Sequence, residues 1–392
     1  MPLGSYGKTI NMQILRAKTK ELLQTRELNP FQSDNSSLNI SEMEEGKTVL
    51  KSYPRRILLE LTSACNLKCI MCGRDEVEFK KSYLDVNILS YIKNVLESAE
   101  EVALFGWGEP TVHPDFSEFL KRLSNYNVRK YFVTNGMLLD KFINDVINYK
   151  TDIIAISLDG ATPDTNNSIR KHSDFNKIIS NIKLLQGEKK ELKLSYPYMN
   201  FVFTAMKSNI QELPDLVNLA YDLGLEEVKV VYLTIFSNNL INESLYDNKE
   251  LVEKYFKKAE EIAEKLDVKL KLPYLQGEDV AGDKYHKDCF NAWRDIFISS
   301  DLTVRPCQST SLKFFDLDKN KPFMEIWNSE IFQNFRRTVN SSDMPLHCKN
   351  CYQSSFANWN KKTSFIQVGN QFAPEWKITN TKKNLKTSCE LI

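Results

Sequence analysis

Long apolar runs are missing from this 392-residue chain. None approaches the roughly 20 residues that a membrane-spanning helix needs. The N-terminal stretch MPLGSYGKTINMQILRAK lacks the apolar core of a secretory signal. Net charge is nearly absent: 52 Lys and Arg against 51 Asp and Glu leave a formal +1. Bulk electrostatics therefore favours neither nucleic acid nor an anionic membrane as a partner. Histidine is scarce. His113, His172, His286 and His347 have no partner at metal-ligand spacing and read as structural, with only His347 notable for standing beside Cys348. Composition is that of an ordinary globular protein, 42% apolar and 26% charged.

Cysteine is the exception. There are eight, at 65, 69, 72, 289, 307, 348, 351 and 389. Disulfide frameworks suit small secreted chains. A chain of this length with no export signal is expected in a reducing cytosol, where clustered thiols hold metal. Cys65, Cys69 and Cys72 follow an apolar run in ILLELTSACNLKCIMCG and stand as Cys-x3-Cys-x2-Cys. Three thiolates so close together suit three corners of an iron–sulfur cube. The fourth iron is left open to a substrate or cofactor.

From about residue 55, β-rich runs alternate with amphipathic stretches. The strand-like runs are 56–62, 101–106, 130–135, 152–159, 200–206 and 228–234; the helix-like ones are 86–99, 116–126, 175–186, 213–224 and 251–266. Nearly continuous apolar strands belong to a parallel sheet covered on both faces. The expected fold class is α/β: six βα units with right-handed crossovers, forming a partial TIM-like barrel. Sites in such barrels lie at the C-terminal ends of the strands, which is where Cys65 falls.

Other strand ends carry matching chemistry. Gly106-Trp107-Gly108-Glu109-Pro110 follows the second strand, offering close backbone approach and a carboxylate for an amine. Thr134-Asn135-Gly136 follows the third. Ser157 and Asp159 share one side at the end of the fourth. There a carboxylate suits ribose hydroxyls, and Arg170 suits a carboxylate. An amine, a carboxylate and a ribose together describe S-adenosylmethionine (SAM).

On these motifs, over residues 55 to 355, the chain resembles radical SAM enzymes. The resemblance implies that Cys65, Cys69 and Cys72 bind a [4Fe–4S] cluster whose fourth iron is chelated by the methionyl group of SAM. Trp107, Gly108 and Glu109 match the family's Gly-Gly-Glu-Pro motif, with Trp107 in place of the first glycine. Met71 is implied to pack near the adenine, Val202 to touch it, and Asn135, Ser157, Asp159 and Arg170 to bind the cofactor. The implied reaction is reductive cleavage of SAM to a 5′-deoxyadenosyl radical, which takes a hydrogen atom from a substrate carbon. Flavodoxin or ferredoxin is the implied electron donor.

Past residue 270 the alternation stops. Cys289, Cys307, Cys348 and Cys351 accompany a hairpin (295–307) and a helix (322–339). This resembles a twitch domain, the shortened SPASM module, and implies a second, fully ligated [4Fe–4S] cluster for electron transfer. The usual hairpin has a glycine where this chain has Leu302. A positive-φ turn would be strained there, so another turn type is expected. The expected domains are an N-terminal extension (1–50), the barrel (51–270), the cluster module (271–355) and a tail (356–392).

The four-cysteine module resembles that of cyclitol-oxidising family members, so oxidation or epimerisation of a sugar-like substrate is the first expectation. Radical modification of a ribosomal peptide is the alternative. The polar stretch before the barrel looks too short for a leader-binding winged helix, which counts against the peptide. Outside enzymes, four thiolates with a Cys-x2-Cys arm also suit structural zinc in an interaction protein. Tyr196, Tyr198, Tyr232 and Trp359 are candidate pocket aromatics. Cys389 reads as a tail residue or a hydrogen-atom donor. A monomer is expected.

Overall fold

The computed structural model describes residues 27–76, 80–273, 275, 289–307, 313–349, 351 and 362–365. Cys389 and Trp359 lie outside them. The backbone forms one ten-stranded sheet. In chain order its strands are β1 (Arg56–Leu59), β2 (Glu101–Leu104), β3 (Arg129–Thr134), β4 (Ile153–Ser157), β5 (Tyr198–Ala205), β6 (Glu227–Tyr232), β7 (Lys269–Lys271), β8 (Asp295–Ile298), β9 (Thr303–Arg305) and β10 (Phe315–Asp316). The spatial order is β10-β9-β8-β1-β2-β3-β4-β5-β6-β7. Every pairing from β8 through β1 to β7 is parallel, and the β8–β9 and β9–β10 pairings are antiparallel. Among the described residues the end strands β10 and β7 are not bonded to each other, so the barrel is open.

The six expected strands are β1 to β6. Two features correct the expectation. A seventh short strand, β7, follows β6. The first strand of the cluster module, β8, pairs in register with β1 (Leu58 against Phe297), so the boundary drawn at 270 does not separate two sheets.

The outer face of the sheet packs on helices. Ile57, Leu59, Val102, Leu104, Phe132, Phe201, Phe203 and Val228 join one core with α2 (Lys93–Ser98), α3 (Phe116–Leu123), α4 (Ile143–Asn148), α5 (Phe175–Glu191), α6 (Leu213–Asp222) and α7 (Lys249–Leu266). Phe116, Phe119, Leu120 and Leu123 recur three and four apart and are all buried, which defines the inner stripe of α3. The expected helix at 86–99 is instead two short pieces, Ile88–Tyr91 and Lys93–Ser98. The expected 322–339 helix breaks at Asn328, whose side chain bonds both backbone groups of Leu50 at 2.8 Å.

The inner face is layered. Leu58, Ala103 and Phe297 form a small apolar layer with Phe105 and Tyr131. Two residues earlier on each strand lie Arg56, Glu101, Arg129 and Asp295, all but excluded from solvent. This charged plug closes the N-terminal end of the barrel.

A helix over Pro30–Glu44 covers that end. Asn29 caps it with Gln32 as a capping box, and Pro30 takes the first turn. Its buried stripe is polar: Gln32, Asn35, Ser36, Asn39 and Glu42. Gln32 donates to the Ala99 and Asn127 carbonyls, Asn35 to those of Tyr53 and Ser98, and Asn39 to that of Trp293. These carbonyls immediately precede β1, β2, β3 and β8.

In the module, Arg336 is buried. It stacks on Trp327 at 4.4 Å and donates to the carbonyls of Thr48, Ala292 and Trp327. Burial pulls its pKa down to about 9. Leu302 corrects another expectation: it does adopt positive φ, 65°. The turn survives because Leu302 N–H donates to the Ser299 carbonyl at 2.9 Å and Asp301 accepts from Thr303 N–H at 3.0 Å. These contacts offset a left-handed penalty of roughly 1–2 kcal/mol.

Candidate active site

Cys65, Cys69 and Cys72 sit in the loop after β1, all half-buried and unbridged. The loop is pinned on one side by a two-residue antiparallel ladder that sets Lys68 opposite Lys171 and Cys69 opposite Arg170. Ile70 N–H donates to the Ile169 carbonyl at 2.9 Å. Leu67 N–H donates to Cys65 Sγ at 3.4 Å, and Arg170 Nη1 lies 3.9 Å from Cys69 Sγ. Burial pushes the Cys69 thiol up to about 12, against the pull of Arg170; Cys72 and Cys65 add to the rise.

Gly108 lets the next loop cross this one. A Cβ there would stand 2.1 Å from the Thr62 carbonyl oxygen and 2.5 Å from that of Ala64. Glu109 N–H donates to the Ala64 carbonyl at 2.9 Å. Gly108→Ala is therefore expected to push the two loops apart, costing about 1–3 kcal/mol and weakening SAM binding; thermal unfolding and a SAM titration read both effects.

The Glu109 side chain is buried. Its Oε1 accepts from Thr111 N–H, Thr111 Oγ1 and Thr134 Oγ1, and its Oε2 accepts from Asn135 N–H at 2.7 Å. Burial raises its pKa against these bonds. Oε2, with one donor, keeps capacity for an amine. Asn135 ties the same point to the cysteine loop, since its Nδ2 donates to Asn66 Oδ1 at 2.8 Å.

Asp159 and Arg170 are paired with each other. Asp159 is completely buried, and its Oδ1 accepts from Thr204 N–H at 2.7 Å. Its Oδ2 lies 2.7 Å from Arg170 Nη2, an ionic contact whose angle is poor for a hydrogen bond. Asp159 thus faces Arg170, whose Nη1 also reaches Cys69 Sγ, while the buried Nε of Arg170 has no hydrogen-bond partner among the described residues.

Ser157 and Val202 are register partners, half-buried and inward-facing. Met71 packs against Ile169, Met206, Leu233, Ile235 and Leu240. Trp107 meets Phe236 edge-on at 6.2 Å, and Gly73 lies under the same ring, where a Cβ would approach within 3.1 Å. Phe236 was not singled out from the sequence, because nothing local marks it. Tyr198 starts β5 and bonds Glu227 at the far end of the barrel. It does not line the cysteine end, whereas Tyr232, the last residue of β6, stands at that end and packs on Phe256 and Phe365. His113 is structural as expected: Nε2 meets the Leu84 carbonyl at 3.0 Å and Nδ1 accepts from Asp115 N–H.

In the module, Cys289, Cys307, Cys348 and Cys351 are half-buried. Burial, then Cys289, Cys307 and Cys351, push the Cys348 thiol well above its ordinary value. Among the described residues, no three Cys, His, Asp or Glu side chains converge on a point that would hold a single ion. Soft thiolates are the ligands that an iron–sulfur cube prefers. The two thiol sets, one of three and one of four, fit two such clusters.

Three thiols at the C-terminal end of a parallel α/β barrel, beside a glycine-carboxylate loop and a second thiol set, define an iron–sulfur protein of the SAM-cleaving class. The radical SAM superfamily model matches residues 59–203, and that of the SPASM iron–sulfur cluster-binding domain matches residues 289–352. The chain belongs to the radical SAM superfamily and carries a C-terminal SPASM domain; its cofactors are SAM, a SAM-binding [4Fe–4S] cluster and auxiliary iron–sulfur.

It is 24% identical over 336 residues to a tungsten-containing aldehyde ferredoxin oxidoreductase cofactor-modifying protein of Pyrococcus furiosus, covering 80% of this chain and 92% of that one. It is 26% identical over 323 residues to a PqqA peptide cyclase of Gluconobacter oxydans, covering 77% and 84%. Its fold matches Streptococcus suis SuiB bound to precursor peptide SuiA, with TM-score 0.59 and 14% identity, over 89% of this chain and 83% of that one. No described helix is long and apolar enough to cross a membrane.

Proposed function

We propose that this chain modifies a peptide by hydrogen-atom abstraction. The observation that carries the reading is the likeness, across most of the chain, to peptide cyclases. The sugar or cyclitol expectation rested on the cysteine count of one module and on the short polar stretch before the barrel, and draws no support from these relatives.

The chemistry supplied by the reduced cluster and SAM, once bound, is hydrogen-atom abstraction from an unactivated carbon. The residues described here hold and orient that chemistry. Cys65, Cys69 and Cys72 supply three ligands. Glu109 Oε2, which takes one N–H from Asn135, would accept from the methionyl amine of bound SAM. Gly108 brings the loop backbone to the cysteine loop. Met71, Trp107 and Phe236 form an apolar wall that excludes water. Ser157 and Val202 face the interior, where the substrate carbon is positioned. Cys289, Cys307, Cys348 and Cys351 would hold auxiliary iron–sulfur, which would supply electron-transfer chemistry, with flavodoxin or ferredoxin as the expected donor.

The test uses anaerobically reconstituted full-length protein with SAM and a reductant. Peptides encoded beside its gene should stimulate 5′-deoxyadenosine release and emerge with altered mass. Stimulation by cyclitols or sugars, with no response to any such peptide, would overturn the reading.

A further inference from the structure

Glu60 follows β1 and is almost excluded from solvent, 4% exposed. Its carboxylate is split between two parts of the molecule. Oε1 accepts from the backbone N–H of Trp107 at 2.7 Å. Oε2 accepts from Ser300 N–H at 3.1 Å and from Ser300 Oγ at 2.8 Å. Trp107 stands two residues before Glu109 in the loop that meets SAM. Ser300 lies in the turn between β8 and β9, and β9 leads directly to Cys307.

The bridge is reinforced on every side. Glu60 N–H donates to the Ile298 carbonyl at 3.0 Å. Ser300 Oγ lies 2.6 Å from Ser82 Oγ, and Ser82 N–H donates to Ser63 Oγ, two residues before Cys65. Gly106 leaves the room that Glu60 needs: a Cβ there would come within 2.4 Å of Glu60 Cγ. One carboxylate therefore links the turn entering the auxiliary thiol set, the loop that meets SAM, and, through serines, the cysteine loop. Charge-assisted bonds of this kind, shielded from water, are stiff and strongly oriented.

We propose that Glu60 is a positioning residue that couples occupancy of the auxiliary cluster site to SAM affinity at the primary one. A loaded module fixes the β8–β9 turn, the turn fixes Glu60, and Glu60 sets the Trp107 N–H and the loop carrying Glu109. A coupling of this kind is a free energy shared by two sites and appears as a change in the affinity of one when the other is emptied. The inference rests on family membership and on these distances, and not on the peptide reading.

The test is a double-mutant cycle on the full chain, scored by SAM affinity from the change in the primary cluster's EPR signal as SAM is added. No substrate enters it, so failure of the peptide reading leaves it intact. The module is emptied with Cys348→Ala/Cys351→Ala, and iron content confirms that the primary cluster is retained. Emptying should weaken SAM binding by about fivefold or more in the otherwise native chain, and by much less in Glu60→Ala. Should Glu60→Ala prove too unstable to load, Ser300→Ala removes one bond of the bridge with the carboxylate still in place, and should shrink the coupling in the same direction. An equal loss of affinity with and without Glu60, or no loss on emptying the module, would overturn the proposal.

Discussion

Replacing Arg170 with alanine should cost about 3–5 kcal/mol, because it strands a buried carboxylate without its cation. Asp159 is completely buried, and Arg170 is the cation beside it. The same substitution unpins the cysteine loop, since Arg170 reaches Cys69 Sγ at 3.9 Å and shares a ladder with it. Iron should fall from about eight to about four per chain, and 5′-deoxyadenosine release should drop to background. The pair Asp159→Asn/Arg170→Met separates the two effects. With both charges gone, most of the lost stability should return, because a neutral pair of similar size is tolerated where a lone buried charge is not. The cluster should still suffer, since no cation faces Cys69. A single Arg170→Ala variant with native melting temperature and full iron would remove the basis for this account.

The second large effect lies at the other end of the barrel. Asp295 is held by Arg294 and by Arg56, the latter at 2.5 Å. Burial alone would raise its pKa, but Arg294 and Arg56 overcome it and hold the carboxylate well below its ordinary 3.8. A group whose folded pKa is depressed contributes stability above its unfolded value and loses it as pH falls. This contribution is therefore complete at neutral pH and declines below about pH 4. Asp295→Asn leaves two buried guanidinium groups short of a counter-charge. It should cost about 3–5 kcal/mol at pH 7, a fall in melting temperature on the order of 10 °C. The difference from the native chain should shrink as pH is lowered toward 3. A difference that stays constant from pH 7 to pH 3 would show that the ion pairs do not carry the effect.

What was legible in the sequence was legible for local reasons. Strands β1 to β6 stood out because parallel strands covered on both faces are apolar almost throughout. The cysteine loop and the Gly-Glu-Pro loop stood out because their residues are adjacent in sequence as well as in space. The helix over Pro30–Glu44 escaped notice because its buried stripe is Gln32, Asn35, Ser36, Asn39 and Glu42. Apolar periodicity finds helices that bury carbon; this one buries amides that satisfy the carbonyls at the barrel floor. Glu60 escaped because its partners, Trp107 and Ser300, lie far along the chain. Asp159 and Arg170 were recognised as belonging to the site, but their pairing with each other was not. Each looked like a ligand for something external, and folding instead set them 2.7 Å apart.

Leu302 teaches the opposite lesson. Its side chain argued against positive φ, yet the residue adopts 65°. Hydrogen bonds from the surrounding turn, and the pairing of β8 with both β1 and β9, outweigh a local preference of one or two kcal/mol.

By itself the amino-acid sequence determined the thiol sets, the alternation of strand and helix, and therefore the cofactor class. Those properties depend on which residue types stand within a few positions of one another. The tertiary structure alone decided that β8 joins the barrel sheet beside β1, that Asp159 and Arg170 neutralise each other beneath Cys69, and that Glu60 bridges two cluster sites. These depend on contacts between distant segments, where burial makes each charge take whatever partner the packing brings within reach.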